Sequence, residues 1–203
     1  MNNNFNIYVT GVGGQGTGLL SELIIRACDY GGYFVRGVDT HGLAQRGGTV
    51  ISHIRIGDGI YSPLIKELCA DLLVALEVNE AMRALNTYLK DGGTLVYYNV
   101  LLQPLSTRLG KDKKILPEKL SEECKRRGIR EIKVFCENLK EPRIQNVIVL
   151  AEMAKRDLIP DVKTSHYERA LKDLLHGKML EMNLEIFTSM AGVERRQSDM
   201  KIC

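Results

Sequence analysis

The stretch Phe5-Asn6-Ile7-Tyr8-Val9-Thr10-Gly11-Val12-Gly13-Gly14-Gln15-Gly16-Thr17-Gly18 decides the fold. Residues 5–10 read as a strand and the glycines after them as a tight turn. Leu19, Leu20, Leu23, Ile24 and Ala27 then recur at helical spacing until Gly31-Gly32 stops the helix. A strand that turns through glycines into a helix leaves backbone N–H groups at the positive end of the helix dipole, which suits a phosphate or another anion. Gly11, Gly13 and Gly16 satisfy G-x-G-x-x-G in that context, and Gly14, Gln15 and Thr17 complete the candidate cofactor-binding loop.

Working outward, residues 33–38 read as a second, parallel strand with Asp39 at its end, where a nicotinamide enzyme would hold its ribose hydroxyls. On these residues alone three readings stay open. They are a stand-alone NAD(P)-binding oxidoreductase, a nucleotide-sensing module without chemistry, and a glycine turn that only packs helix on strand. A dinucleotide-binding fold would continue with a helix. Instead the chain enters a second glycine-rich loop, Thr40-His41-Gly42-Leu43-Ala44-Gln45-Arg46-Gly47-Gly48, and then the strand-like 49–56. Four polar groups of different kinds, His41, Gln45, Arg46 and the downstream His53, cluster around glycines that include Gly47 and Gly48, and they gain little for folding of an isolated domain. The loop is therefore expected at a partner interface or on the wall of an active site, with Arg46 suited to bidentate recognition of an anion.

The turn Gly57-Asp58-Gly59 leading into Ile60-Tyr61 predicts a β-hairpin and a mixed sheet. Residues 63–69 fit a short helix and 71–76 a buried strand. Asn79 is placed to cap a helix running from Glu80 to about Leu89 and closed by Asp91-Gly92-Gly93. A strand over 94–100, a basic connector over 101–116, a helix over 117–127 with proline first, and a strand over 132–136 follow. From about 143 to 203 the pattern is helical, with breaks near 158–163 and at Gly177. The expected class is α/β: a doubly wound, Rossmann-like mixed sheet with a β-hairpin insertion and a helical C-terminal part, in a single domain over 1–203.

Composition narrows the function. A formal net charge of +3 is too small to imply nucleic acid. Residues 108–133 hold ten basic and five acidic side chains, which reads first as a solvated helix face. No apolar run approaches the ~18 residues of a spanning helix. Five scattered cysteines without a C-x-x-C pair give no zinc or iron–sulfur spacing and read as reduced thiols in a cytoplasmic protein. Gly57-Asp58-Gly59 imitates the start of a thiamine-diphosphate motif, but Asn86 is followed by Thr87 rather than a second asparagine, and a hairpin turn explains it better. His53, His166 and His176 lack ligand-spaced partners, and no nucleophile–base set is visible. No catalytic residue and no metal site is assigned to this chain.

At this point a resemblance can be stated. Gly11-Val12-Gly13-Gly14-Gln15-Gly16, the run from His41 through Gln45-Arg46-Gly47-Gly48 to Ile56, Tyr61-Ser62-Pro63-Leu64-Ile65, Ala70-Asp71, Leu76-Glu77 and Gln145-Asn146-Val147 resemble the gamma-type subunit of 2-oxoacid:ferredoxin oxidoreductases. Within that family the second loop looks most like the beta subunit of indolepyruvate ferredoxin oxidoreductases. The resemblance implies a division of labour. A large partner subunit carries thiamine diphosphate, Mg and iron–sulfur clusters, oxidatively decarboxylates indolepyruvate or a related 2-oxoacid to acyl-CoA, and passes electrons to ferredoxin. The gamma-type chain is a non-catalytic but obligatory subunit that helps to hold coenzyme A, with the loop at 13–17 near its phosphates.

Overall fold

A computed structural model of the protein describes residues 4–40, 48–102, 117–137, 139 and 144–192. In chain order the elements are β1 (Phe5–Val12), α1 (Thr17–Tyr30), β2 (Val35–Thr40), β3 (Thr49–Ile56), β4 (Ala70–Ala75), α2 (Val78–Thr87) and β5 (Leu89–Tyr98). They continue with α3 (Pro117–Arg126), β6 (Arg130–Val134), α4 (Gln145–Lys155), α5 (Thr164–Leu174) and α6 (Gly177–Ala191). The sheet order is β2-β3-β1-β4-β5-β6. β1, β4, β5 and β6 run parallel, and β3 is antiparallel to both of its neighbours. The expected doubly wound mixed sheet with a helical C-terminal part is what forms.

Alternation along β1 sets the two layers. Ile7 and Val9 join one core with α1, α4, α5 and α6, whereas Tyr8 points to the other face and joins α2 and α3. β4 is apolar on both faces (Leu72 and Val74 to one core, Leu73 and Ala75 to the other), as a parallel strand covered on both sides must be. α4 is buried along nine of its eleven residues, so it is the central helix of its layer, with α1 and α6 against it. Burial pushes the Cys28 and Cys124 thiols up to about 12, which leaves both unreactive at neutral pH. Cys28, Cys69 and Cys124 are free thiols.

Several local expectations are corrected. The antiparallel pairs are β3 with β1 and β3 with β2, and Ile60-Tyr61 forms no strand. β3 already pairs on both edges, with β1 and β2, so no ladder is left for a returning strand. Residues 61–66 are also not helical. They cross β3 as a strap held by its side chains: Arg55 donates to the Ser62 carbonyl at 2.9 Å, and the Ile65 N–H donates to His53 Nδ1 at 3.1 Å. α2 begins two residues earlier than expected, at Val78, with Glu77 rather than Asn79 as its cap. Asp91-Gly92-Gly93 lies within an irregular start of β5, where the Gly92 N–H donates to the Arg127 carbonyl at 3.0 Å. The buried Arg127 guanidinium holds that excursion through Asp91 (2.6 Å) and the carbonyls of Leu85 and Leu89.

His53, expected to act with the second loop, is instead buried on β3 and packs edge-on against a stacked tyrosine pair, 4.9 Å from Tyr8 and 5.3 Å from Tyr88 between ring centroids. Burial lowers its pKa, and its Nδ1 is an acceptor, so the ring is neutral in the folded protein. The unfolded chain binds a proton near pH ~6.5. Below that pH the unfolded state takes up a proton that the folded state refuses, so stability falls as pH falls and is unaffected above it. Urea denaturation at pH 7.5 and 5.5 should show this loss, and His53→Gln should make the two curves more alike. An unchanged pH dependence in the variant would contradict it.

Candidate functional site

β1 and β4 lie side by side and parallel, yet α1 leaves toward one face of the sheet and α2 toward the other. This is the switch point where ligands of open α/β sheets bind, outside the carboxyl ends of the strands. The glycine turn and the Leu76–Asn79 turn meet there.

Most of the turn's polar atoms are occupied internally. Gln15 is buried; its Oε1 accepts from the Val12 N–H at 2.7 Å and its Nε2 donates to the Leu76 carbonyl at 2.9 Å. The Gly13 N–H donates to the Gly48 carbonyl at 2.8 Å, which ties the first loop to the root of the second. Thr17 is buried beneath the turn, its hydroxyl without a partner among the described residues. A Cβ on Gly11 would come within 2.5 Å of that hydroxyl. Gly16 caps α1 in the left-handed conformation, φ 78°, and among the described residues no side chain caps the helix. Its carbonyl receives the Asn146 carboxamide N–H at 3.3 Å. What the turn offers outward is therefore backbone: exposed Gly14, at φ 102°, and the first N–H groups of α1, which have no partner within the helix.

The start of α2 is the opposite case. Wholly buried Glu77 accepts from the Glu80 N–H (2.9 Å), the Leu102 N–H (3.0 Å) and the Asn79 carboxamide (2.7 Å). Burial raises its pKa and the Glu80 charge adds to that, while backbone hydrogen bonds from Glu80, Leu102 and Asn79 pull against it. Glu80 binds Arg83 at 2.6 Å, and Arg83 also donates to the Thr49 hydroxyl at 3.0 Å, at the root of β3.

Of the residues expected to form the site, Gly11, Gly13, Gly14, Gln15, Gly16 and Thr17 are together at the switch point, with Gln15 and Thr17 turned inward. Gly48 is beside them. His41, Gln45, Arg46 and Gly47 lie outside the described residues. Asp39 accepts from Ser21 of α1 at 3.0 Å. Because β3 is inserted between β1 and β2, Asp39 is one strand spacing, roughly 4.8 Å, further from the turn than in a dinucleotide-binding fold. That weighs against ribose binding. Sequence patterning assigned no site role to Glu77, Asn146 or Arg83. For Glu77 the signal was present: an acidic residue directly after a buried apolar strand, three positions before Glu80.

The profile of the pyruvate ferredoxin/flavodoxin oxidoreductase family matches residues 6–192. The chain belongs to this family, which makes it a component of an oxidoreductase of the 2-oxoacid:ferredoxin type. It is 35% identical over 185 residues to the indolepyruvate oxidoreductase subunit IorB of Archaeoglobus fulgidus, covering 89% of this chain and 90% of that one. The IorB subunit of Methanothermobacter thermautotrophicus is 46% identical over 82 residues, 40% of this chain and 41% of that one. Among solved structures, the gamma subunit of a keto/oxoacid ferredoxin oxidoreductase from Geobacter sulfurreducens superposes with a TM-score of 0.63 at 21% identity, covering 93% and 96% of the two chains. A 2-oxoglutarate:ferredoxin oxidoreductase from Magnetococcus marinus, solved with 2-oxoglutarate, coenzyme A and succinyl-CoA, gives 0.65 at 18% identity. All of this chain matches 33% of that longer one.

Two glycines separate backbone strain from crowding. Alanine at Gly14 meets nothing within 4 Å and carries only the cost of its positive φ, about 1–3 kcal/mol. Alanine at Gly16 has a positive φ as well, and its Cβ would lie 2.6 Å from Asn146 Nδ2. Gly16→Ala should lower the urea midpoint more than Gly14→Ala; the reverse order would show that Asn146 is not packed on this turn.

Proposed function

We propose that this chain is the small, non-catalytic and obligatory subunit of a ferredoxin-dependent oxidoreductase that converts indolepyruvate or a related 2-oxoacid to acyl-CoA. Its contribution is assembly and the binding of coenzyme A. The observation that carries the reading is a glycine turn at the switch point whose outward groups are backbone donors at the uncapped start of α1. Such a cradle binds phosphate and has no side chain that performs chemistry. The relative from Archaeoglobus fulgidus, matched along nine-tenths of both chains, supports the substrate class. The coenzyme A in the Magnetococcus marinus complex supports the ligand.

In this reading a larger subunit holds thiamine diphosphate, Mg and the iron–sulfur clusters, and ferredoxin is reached through it. Those groups supply the carbanion chemistry and carry the electrons. This chain orients the CoA phosphates on the N–H groups that open α1, while Gln15 keeps the turn rigid. The loop with His41, Gln45, Arg46, Gly47 and Gly48 meets the partner or walls its cavity.

Purified alone, the chain should be colourless and should not reduce a viologen dye with indolepyruvate and CoA. Activity should appear on mixing with the larger subunit and end at a stoichiometric ratio. Turnover by the lone chain, or tight NAD binding to it, would overturn the proposal.

Substitutions at Gly14 test the ligand. Gly14→Ala and Gly14→Asp share the positive-φ strain, but only aspartate places a carboxylate where phosphate is expected. In the complex, Gly14→Asp should raise KM for CoA about tenfold above Gly14→Ala, the equivalent of about 1.4 kcal/mol. Equal values would make the turn purely structural. Arg46→Ala should weaken association or turnover by roughly 2–5 kcal/mol and leave the denaturation midpoint of the lone chain unchanged. A large loss in the lone chain with normal assembled activity would make Arg46 an internal brace.

A further inference from the structure

Two helices start at the carboxyl ends of the neighbouring strands β1 and β4, and each start carries about half a positive charge. At α1 no side chain of the described residues caps it. At α2 it is already met from within the chain. Both oxygens of Glu77 are engaged: Oε2 by the Glu80 N–H, Oε1 by the Leu102 N–H and by Asn79 Nδ2, at 2.7–3.0 Å, with the residue fully buried. Two backbone donors and a carboxamide converging on one carboxylate are the set an incoming oxyanion would meet. The neighbouring Glu80 is paired with Arg83 at 2.6 Å.

We propose that Glu77 is a built-in anion, which fills the N-terminus of α2 in cis and leaves α1 as the helix start at this switch point open to a ligand's phosphate. Glu77 is thus a positioning and specificity residue for the CoA site of the proposed function, on which this inference rests. It acts through the preceding residue as well: the Leu76 carbonyl carries the Gln15 carboxamide, so the turn that seats Glu77 also seats the glycine loop. The Leu102 N–H adds a third segment, the exit of β5.

Chemical rescue tests this without any CoA. Glu77→Ala removes the carboxylate and leaves a small cavity lined by the three donors. The variant should lose thermal stability, and sodium formate should restore its Tm saturably while sodium chloride at equal ionic strength does not. Wild type and Glu77→Gln, whose cavity stays filled, should show no formate-specific gain. Hydrogen exchange at 14–18 should rise in Glu77→Ala and return with formate. If the variant is recovered only as aggregate, the refolding yield with formate against chloride reads the same quantity. A formate response no larger than that of chloride, or an unchanged exchange rate in the glycine turn, would overturn the assignment. Because the readouts are Tm and exchange, they stand apart from the CoA reading: wild type failing to bind CoA in the complex would remove that reading and leave the rescue result intact.

Discussion

The carboxamide of Gln15 is the joint on which this end of the molecule depends. It takes the last N–H of β1 and gives its own to the carbonyl that follows β4. Two strands whose helices leave to opposite faces are thereby held at a fixed separation, and the glycine turn between them cannot collapse. A hydrogen bond of this kind contributes about 0.5–1.5 kcal/mol, and leaving either partner unpaired in a buried place costs about 1–3 kcal/mol. Only a side chain with both a donor and an acceptor at its tip can make both contacts. Glutamate or methionine here would leave at least one group unpaired.

Around that joint the electrostatics are arranged by occupancy. The α2 start holds its own carboxylate, Glu80 is held by Arg83, and Asp39 is engaged by Ser21. Among the described residues, no side chain caps the N–H groups that open α1. The ligand chemistry this favours is a phosphate bound by main chain, and the glycines follow from it: Gly14 and Gly16 both need positive φ, and Gly16 lies too close to Asn146 for any side chain. The central, almost wholly buried α4 supplies Asn146, so the turn is braced from beneath by a core helix.

The sequence announced what local pattern controls. Residues 5–30 gave strand, turn and helix because alternation, glycines and helical spacing all agree there. The helical C-terminal part followed from its periodicity. The failures have one cause: they depend on hydrogen bonds to other elements, beyond the reach of local pattern. Residues 61–66 have no helix because His53 and Arg55 capture their backbone. Asn79 lost the cap to Glu77 because the carboxylate also satisfies Leu102, a partner 25 residues away. The inward turn of Gln15 toward Leu76 spans 61 residues and is equally invisible to a pattern. In each case a local preference was real and a hydrogen bond to another element outweighed it.

The central claim is that the start of α1 is where this chain meets coenzyme A, and the most direct measurement is a hydrogen-exchange footprint of CoA on the assembled enzyme. Protection concentrated at 14–19 of this chain, produced by CoA and not by NAD, is the predicted result. Protection confined to the partner subunit, with 14–19 exchanging at the rate of the unliganded complex, would contradict the account.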